Sequence, residues 1–238
     1  MHHVVLERWS RGASALHRRD PRAKFAALLI FLVVLSTAHR ALLPLAAAFL
    51  VLLTITLAWA RVPVAGVLGR AAVVLPLTLI AAGVCWIGGD GARGLSLIVK
   101  SYLSAVAVLT VVSTTPLPAM LRGLERVGAP RFLLMVAQFL YRYLFLISEE
   151  AQHMRSAAAS RASANRRQGF ESAAGMLAVL FARSYARATE IHHAMMARAF
   201  PGRFHTLSDL RFGGADAWFL LLAAAAPIAL RAAVERLA

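Results

Sequence analysis

LLPLAAAFLVLLTITLAWA, Leu42–Ala60, runs through nineteen residues without a charged side chain. As a helix rising 1.5 Å per residue it is about 28 Å long, which matches the ~30 Å hydrocarbon core of a bilayer. It is apolar on every side, whereas a surface helix of a water-soluble domain carries one apolar stripe. This stretch predicts a membrane-spanning helix. Working outward, Ala23–Ala38 is a shorter apolar run preceded by Asp20-Pro21, an acidic N-cap followed by proline at the first helical position. A tight turn is expected at His39-Arg40. Arg61 and Arg70 bracket VPVAGVLG, expected at the interface. Ala71–Gly88 is a third run, with a kink expected at Pro76, and Leu95–Thr114 a fourth, with Lys100 near one end and able to snorkel to the headgroups. A last run begins near Gly214, includes Trp218–Ala233 and crosses once. The fold class is therefore all-α: a polytopic membrane protein of about five transmembrane helices.

Composition agrees. Apolar residues make up 60% of the chain, above the roughly 45–50% of soluble domains, and the mean hydropathy is +0.67. The formal charge of +15 comes almost wholly from arginine. Such a charge suits nucleic acid or the basic cytoplasmic loops of a membrane protein, and the long apolar runs favour the second. The first twenty residues are polar and basic, with Arg8, Arg11, Arg18 and Arg19, and show no cleavable signal. Cys85 is a single cysteine in an apolar run, so no internal disulfide is expected. The glycine-rich loop 88–94 lacks the Lys-Ser/Thr pair of a phosphate cradle and reads as an external turn.

After residue 115 the texture changes. PLPAMLRGLERVG is amphipathic, with Leu117, Met120, Leu121, Leu124 and Val127 on one face. Residues 131–150 are apolar enough to cross but contain Gln138 and Arg142. Parity argues against a crossing: with a basic cytoplasmic N-terminus and four preceding spans, a fifth crossing here would place the Arg-rich block outside. Residues 131–167 therefore read as one long, partly embedded helix. A second runs from about Glu171 to Phe200, with Leu177, Leu180, Phe181, Ser184, Ala188, Ile191 and Met195 as its apolar stripe and Pro201-Gly202 at its end. Arg187 and Glu190 lie three apart on its polar face, where they can pair. The resulting division is 1–115, an N-terminal segment with four transmembrane helices; 116–212, a cytoplasmic or interfacial region of long helices; and 213–238, a final transmembrane helix.

The chain offers no catalytic constellation. His192-His193 and Glu149-Glu150 are neighbours that diverge by about 100° on a helix, so neither forms a chelating or acid–base pair. Met195-Met196 and Met1-His2-His3 carry donor atoms without a ligand spacing, and no Walker A motif or nucleophile elbow is present. No metal site and no catalytic residue are expected. Arg161 and Arg198 differ from the other arginines. Each lies near the end of a long helix between small residues, so a partner can approach closely and meet a planar, permanently charged fork. An ordinary surface arginine is the plainer alternative.

At these residues the chain resembles the transmembrane (T) components of energy-coupling-factor transporters, in particular the cobalt-type CbiQ proteins. RSYARATEIHHAMMARAFPGRFH, Arg183–His205, is similar to the family signature ending in Ala-Met-x-Ala-Arg-Gly-Phe-x-Gly. Asp20-Pro21-Arg22-Ala23-Lys24, Thr114-Thr115-Pro116, Tyr141-Arg142-Tyr143 and the stretch from Glu149 to Ala162 support it. The resemblance implies a non-catalytic subunit in the inner membrane whose N-terminus and long helices face the cytoplasm. It implies two docking motifs, Ser160-Arg161-Ala162 and Ala197-Arg198-Ala199, for two ABC-type ATPases, with Arg187 and Glu190 supporting. ATP and magnesium would be held by those partners, and this chain would bind no cofactor and no nucleic acid. A substrate-binding membrane subunit, CbiM-like with a small CbiN-like companion, would take cobalt or nickel. Both motifs carry alanine where the family has glycine, a change expected to be tolerated if the motif remains helical. The rivals are a vitamin transporter of the same kind, such as one for biotin, and an integral membrane enzyme acting on lipid.

Overall fold

Asp20 starts the first helix as the sequence predicts. Its carboxylate accepts from the Arg22 N–H at 2.9 Å, and Pro21 occupies the first helical position. In this computed structural model the described residues are 9–10, 12, 14–38, 42–160, 166–202 and 213–237. They form α1 (Pro21–Ser36), α2 (Leu42–Trp59), α3 (Val64–Ala71), α4 (Leu75–Ile87), α5 (Gly91–Thr114), α6 (Leu117–Val127), α7 (Arg131–Ala159), α8 (Arg166–Ala197) and α9 (Gly214–Leu237). The described residues contain no strand. The turn expected at His39-Arg40 and the histidines of Met1-His2-His3 lie outside them.

The chain divides into two compact units, Met1–Val127 with Asp209–Ala238, and Gly128–Ser208. In the first, α2 shows how the membrane helices pack. Leu45, Phe49, Leu53 and Leu57 recur every four residues and are buried, with Phe49 set against Phe31 of α1 at 5.2 Å between ring centroids. The other faces of α2 expose Leu43, Val51 and Ile55, and α4 leaves Ile87 91% exposed. Apolar side chains turned outward on this scale belong in lipid.

Five helical runs are long and apolar enough to cross a membrane: Leu42–Trp59, Val64–Ile87, Gly91–Thr114, Arg131–Ala159 and Gly214–Val234. The number agrees with the sequence, but the membership does not. The sequence counts 23–38 and leaves out 131–150, whereas α1 stops after 16 residues and α7 has the length and composition of a span. VPVAGVLG does not stand apart from the third span. Val64–Ala71 continues through the 3-10 turn Ala72–Val74 into α4, making one run of 24 residues. Pro76 accounts for that turn. It lacks the N–H that would bond Ala72, and its ring crowds that carbonyl, so Leu75 donates to Ala72 with 3-10 geometry instead.

Close approach and caps position the helices. Gly94 of α5 lies against Ala82 of α4; a Cβ there would sit 3.0 Å from the Ala82 carbonyl oxygen. Gly89, at φ 87°, closes α4 in a left-handed turn in which Asp90 donates to Cys85 and Gly89 to Trp86. Lys100 does not simply reach for headgroups. Its Nζ donates to the Ser36 carbonyl at 2.8 Å, while Arg231 Nη2 donates to that of Thr37 at 3.2 Å. These cations satisfy carbonyls left open at the C-terminus of α1. At the other end of α1, Lys24 is buried and donates to the Thr114 carbonyl and Thr115 Oγ1, each at 2.9 Å, fixing the α5–α6 corner. The amphipathic helix α6 belongs to this first unit. It packs through Gly123 against Pro21, and its Leu117, Leu124 and Val127 stay exposed.

Candidate functional site

The second unit is built from the two long helices. α7 ends at Ala159, eight residues short of the helix expected over 131–167, and the second long helix begins at Arg166 instead of near Glu171, so Gly169 lies within α8. Ser160 caps α7, its N–H donating to Ser156 at 3.1 Å and its Oγ to the Ala157 carbonyl at 2.9 Å. The hydroxyl thus meets a helix-end carbonyl instead of reaching outward. Arg161 and Ala162, the rest of the first motif, lie outside the described residues. α8 then runs for 32 residues, about 48 Å at the usual rise, so the two motifs bracket it in sequence.

The second motif is the C-terminus of α8. Ala197 is the last helical residue, and Arg198 is the cap, its N–H shared between the Ala194 and Met195 carbonyls at 3.2 Å each. Ala199 has φ 49°, with its N–H on Met196 and that of Phe200 on Met195, both at 3.0 Å. This is a Schellman turn with Ala199 in its left-handed position. The reason given for tolerating alanine therefore does not hold here: the third motif residue is not helical, and it stands where glycine is favoured because a Cβ crowds the neighbouring backbone. Arg198 itself is exposed, a fixed positive charge at the negative end of the helix dipole.

α7 and α8 enclose a cleft of about 650 Å³. Phe139, Tyr143 and Ile147 line it from α7, and Leu180, Ile191 and Met195 from α8, so much of the predicted apolar stripe faces the cleft. Leu177 and Phe181 of that stripe are exposed instead. Arg187 and Glu190 also line the cleft, but no ion pair forms between them among the described residues. The pair that forms is Glu150 with Arg183, between the helices. Glu149 turns away to His153 on its own helix, at 3.9 Å. The two glutamates diverge as helical neighbours should. The His192 and His193 rings are tilted by 49° with centroids 6.0 Å apart, and no cluster of three or more His, Cys, Asp or Glu side chains suited to a metal occurs among the described residues.

The Glu150–Arg183 pair is the feature that reading helix by helix misses. Its signal in the sequence is one acid and one base on two consecutive long helices, visible only once the two helices are paired.

Residues 12–206 match the CbiQ family, described as cobalt transport protein. The chain belongs to the CbiQ family. The cobalt transport protein CbiQ of Rhodobacter capsulatus is 32% identical over 170 residues, covering 66% of this chain and 69% of that protein. The energy-coupling factor transporter transmembrane protein EcfT of Acidaminococcus fermentans is 28% identical over 252 aligned positions, covering 90% of each. Like the CbiQ proteins it resembles, the chain is a multi-pass membrane protein with the apolar helices of a transport component.

Proposed function

We propose that this chain is the energy-coupling subunit of an ATP-driven uptake transporter, passing the motion of two ABC-type ATPases to a substrate-binding membrane subunit. The observation that carries this reading is Arg198, an exposed guanidinium held as the cap of a 32-residue helix. Its backbone is fixed by the Schellman turn, so force applied at the arginine moves the helix as a body. The first motif follows Ser160 at the end of α7, and α8 separates the two in sequence. Docking points at the ends of different long helices suit two partners better than one. The chain itself binds neither ATP nor the transported ion; both belong to partner subunits.

The proposed cargo is cobalt or nickel, supported by the family description and the Rhodobacter capsulatus relative. The proposed partners are then a CbiM-like subunit with a small CbiN-like companion. The setting is the cytoplasmic membrane, with the N-terminus and the arginine-bearing ends of the long helices on the cytoplasmic side, where the positive-inside rule favours arginine. The Acidaminococcus fermentans relative covers more of the chain and its name carries no cargo, which keeps a vitamin transporter as the second reading.

Affinity purification from native membranes tests this. Two ATPase chains with a CbiM-like subunit are expected. Two ATPases with a vitamin-binding subunit would select the second reading, and recovery without any ATPase would contradict both.

A further inference from the structure

The first unit contains a second cleft, of about 570 Å³, that the coupling role does not use. It runs between α1, α2, α5 and α9 and is walled by apolar side chains such as Leu28, Phe31, Leu53, Phe219, Leu222 and Ala226. It extends from Arg19, just before α1, to Phe31 within it, and along α9 from Ala215 to Ala226. At the helical rise the α9 path is about 17 Å, close to one leaflet, half of the ~30 Å hydrocarbon core.

One end of the cleft differs from the rest. The start of α1, the ends of α2 and α5 and the start of α9 meet there. Trp59 and Trp218 line it and are 62% and 67% exposed. Indole rings exposed at the end of apolar helices are the usual anchors at headgroup level. Arg19 lines the same end, with Arg18 exposed beside it. The charged groups nearby do not cancel this. Lys24 is committed to Thr114 and Thr115. Asp20 is buried, accepts from the Arg22 N–H and lies 3.9 Å from that guanidinium. Asp216 accepts from the Asp20 and Gly213 N–H groups and reaches Arg19 only at 3.9 Å. Four cations, Arg18, Arg19, Arg22 and Lys24, thus stand against two carboxylates.

We propose that this cleft is a binding site for an anionic phospholipid, with one acyl chain lying between the four helices and the phosphate at Arg19. Depth fixes the chain to a single leaflet, and the cationic mouth selects a negative headgroup over a zwitterionic one. The inference is independent of the ATPase partners and of the cargo.

Brominated acyl chains test it, because bromine quenches nearby tryptophan. The full chain, with Trp9 and Trp86 changed to Phe so that Trp59 and Trp218 report, is reconstituted in phosphatidylcholine vesicles. It is then titrated with brominated phosphatidylglycerol or brominated phosphatidylcholine. Phosphatidylglycerol is expected to quench at about fivefold lower mole fraction, the effect of one arginine on an anionic headgroup. Arg19→Gln should bring the two lipids together. Ala223→Phe, which fills the cleft and leaves Arg19 in place, should weaken quenching by both. Equal quenching by the two lipids in the unaltered cleft, or a preference unchanged by Arg19→Gln, would overturn the proposal. The arginine variant decides the matter even if the cleft-filling variant does not fold.

Discussion

Glu150 on α7 and Arg183 on α8 form an ion pair that ties together two helices whose joined residues stand 33 apart in the chain. It is the one ion pair between the long helices among the described residues. The side chains are 40% and 64% exposed, so water screens the attraction. A pair of this kind contributes roughly 0.2–1 kcal/mol. Its role is to set register between the helices more than to hold the unit folded.

A double-mutant cycle reads that coupling. Glu150→Gln and Arg183→Gln are each expected to cost less than about 1 kcal/mol, with a double variant no worse than either alone. Thermal midpoints of the four purified proteins provide the measurement. Strict additivity would mean that the contact contributes nothing. The exchange Glu150→Arg with Arg183→Glu should recover transport lost in either single reversal.

Ala199 makes a prediction of opposite sign to helix propensity. Within a helix, replacing alanine by glycine destabilises by about 1 kcal/mol. At φ 49° the same replacement relieves a left-handed Cβ and should stabilise the end of α8 by roughly 1 kcal/mol. Hydrogen exchange at the Ala199 and Phe200 amides, bonded to Met196 and Met195, should slow by about fivefold in Ala199→Gly. Faster exchange would show that the turn is not the one described.

Two glycines in adjacent helices should respond differently. A Cβ at Gly83 meets nothing within 4 Å, whereas at Gly94 it comes within 3.0 Å of the Ala82 carbonyl oxygen. Gly83→Ala is expected to stabilise by up to about 1 kcal/mol through helix propensity. Gly94→Leu should destabilise by roughly 1–3 kcal/mol through overpacking of α4 against α5. Thermal aggregation temperatures in detergent should move in opposite directions.

Lys24→Met removes two donors from the buried α5–α6 corner and leaves Asp20 and Asp216 with less positive charge nearby. The expected cost is roughly 1–3 kcal/mol for the polar groups left unpaired. Thermal midpoint is the measurement, and an unchanged value would mean that water replaces the ammonium there.

What was legible in the sequence was whatever repeats along one helix. Leu42–Ala60 showed its span because a lipid-facing helix is apolar on all sides, and Asp20-Pro21 showed its cap because both signals are local. The position of Arg198 near a helix end was legible because Pro201-Gly202 stops the helix just beyond it. Gly169 does not separate α7 from α8 because glycine in a first helical turn breaks nothing, while Ser160 ends α7 with its hydroxyl on a carbonyl of its own helix. The shape of the second motif was not legible either: whether Ala199 is helical depends on where the last carbonyl bonds end, and Pro201-Gly202 marked that end only to within a few residues. Tertiary pairs such as Lys100 with Ser36, Lys24 with Thr114 and Glu150 with Arg183 join residues far apart in the chain, and no periodicity reports them.

In the proposed role, Arg161 after α7 and Arg198 at the end of α8 join this chain to its ATPases. Co-purification of the ATPases with Arg161→Glu and Arg198→Glu tests it most directly. Either reversal is expected to lower the recovered ATPase well below the stoichiometry of the unaltered protein while the chain stays folded and membrane-embedded. Undiminished stoichiometry in both variants would contradict it.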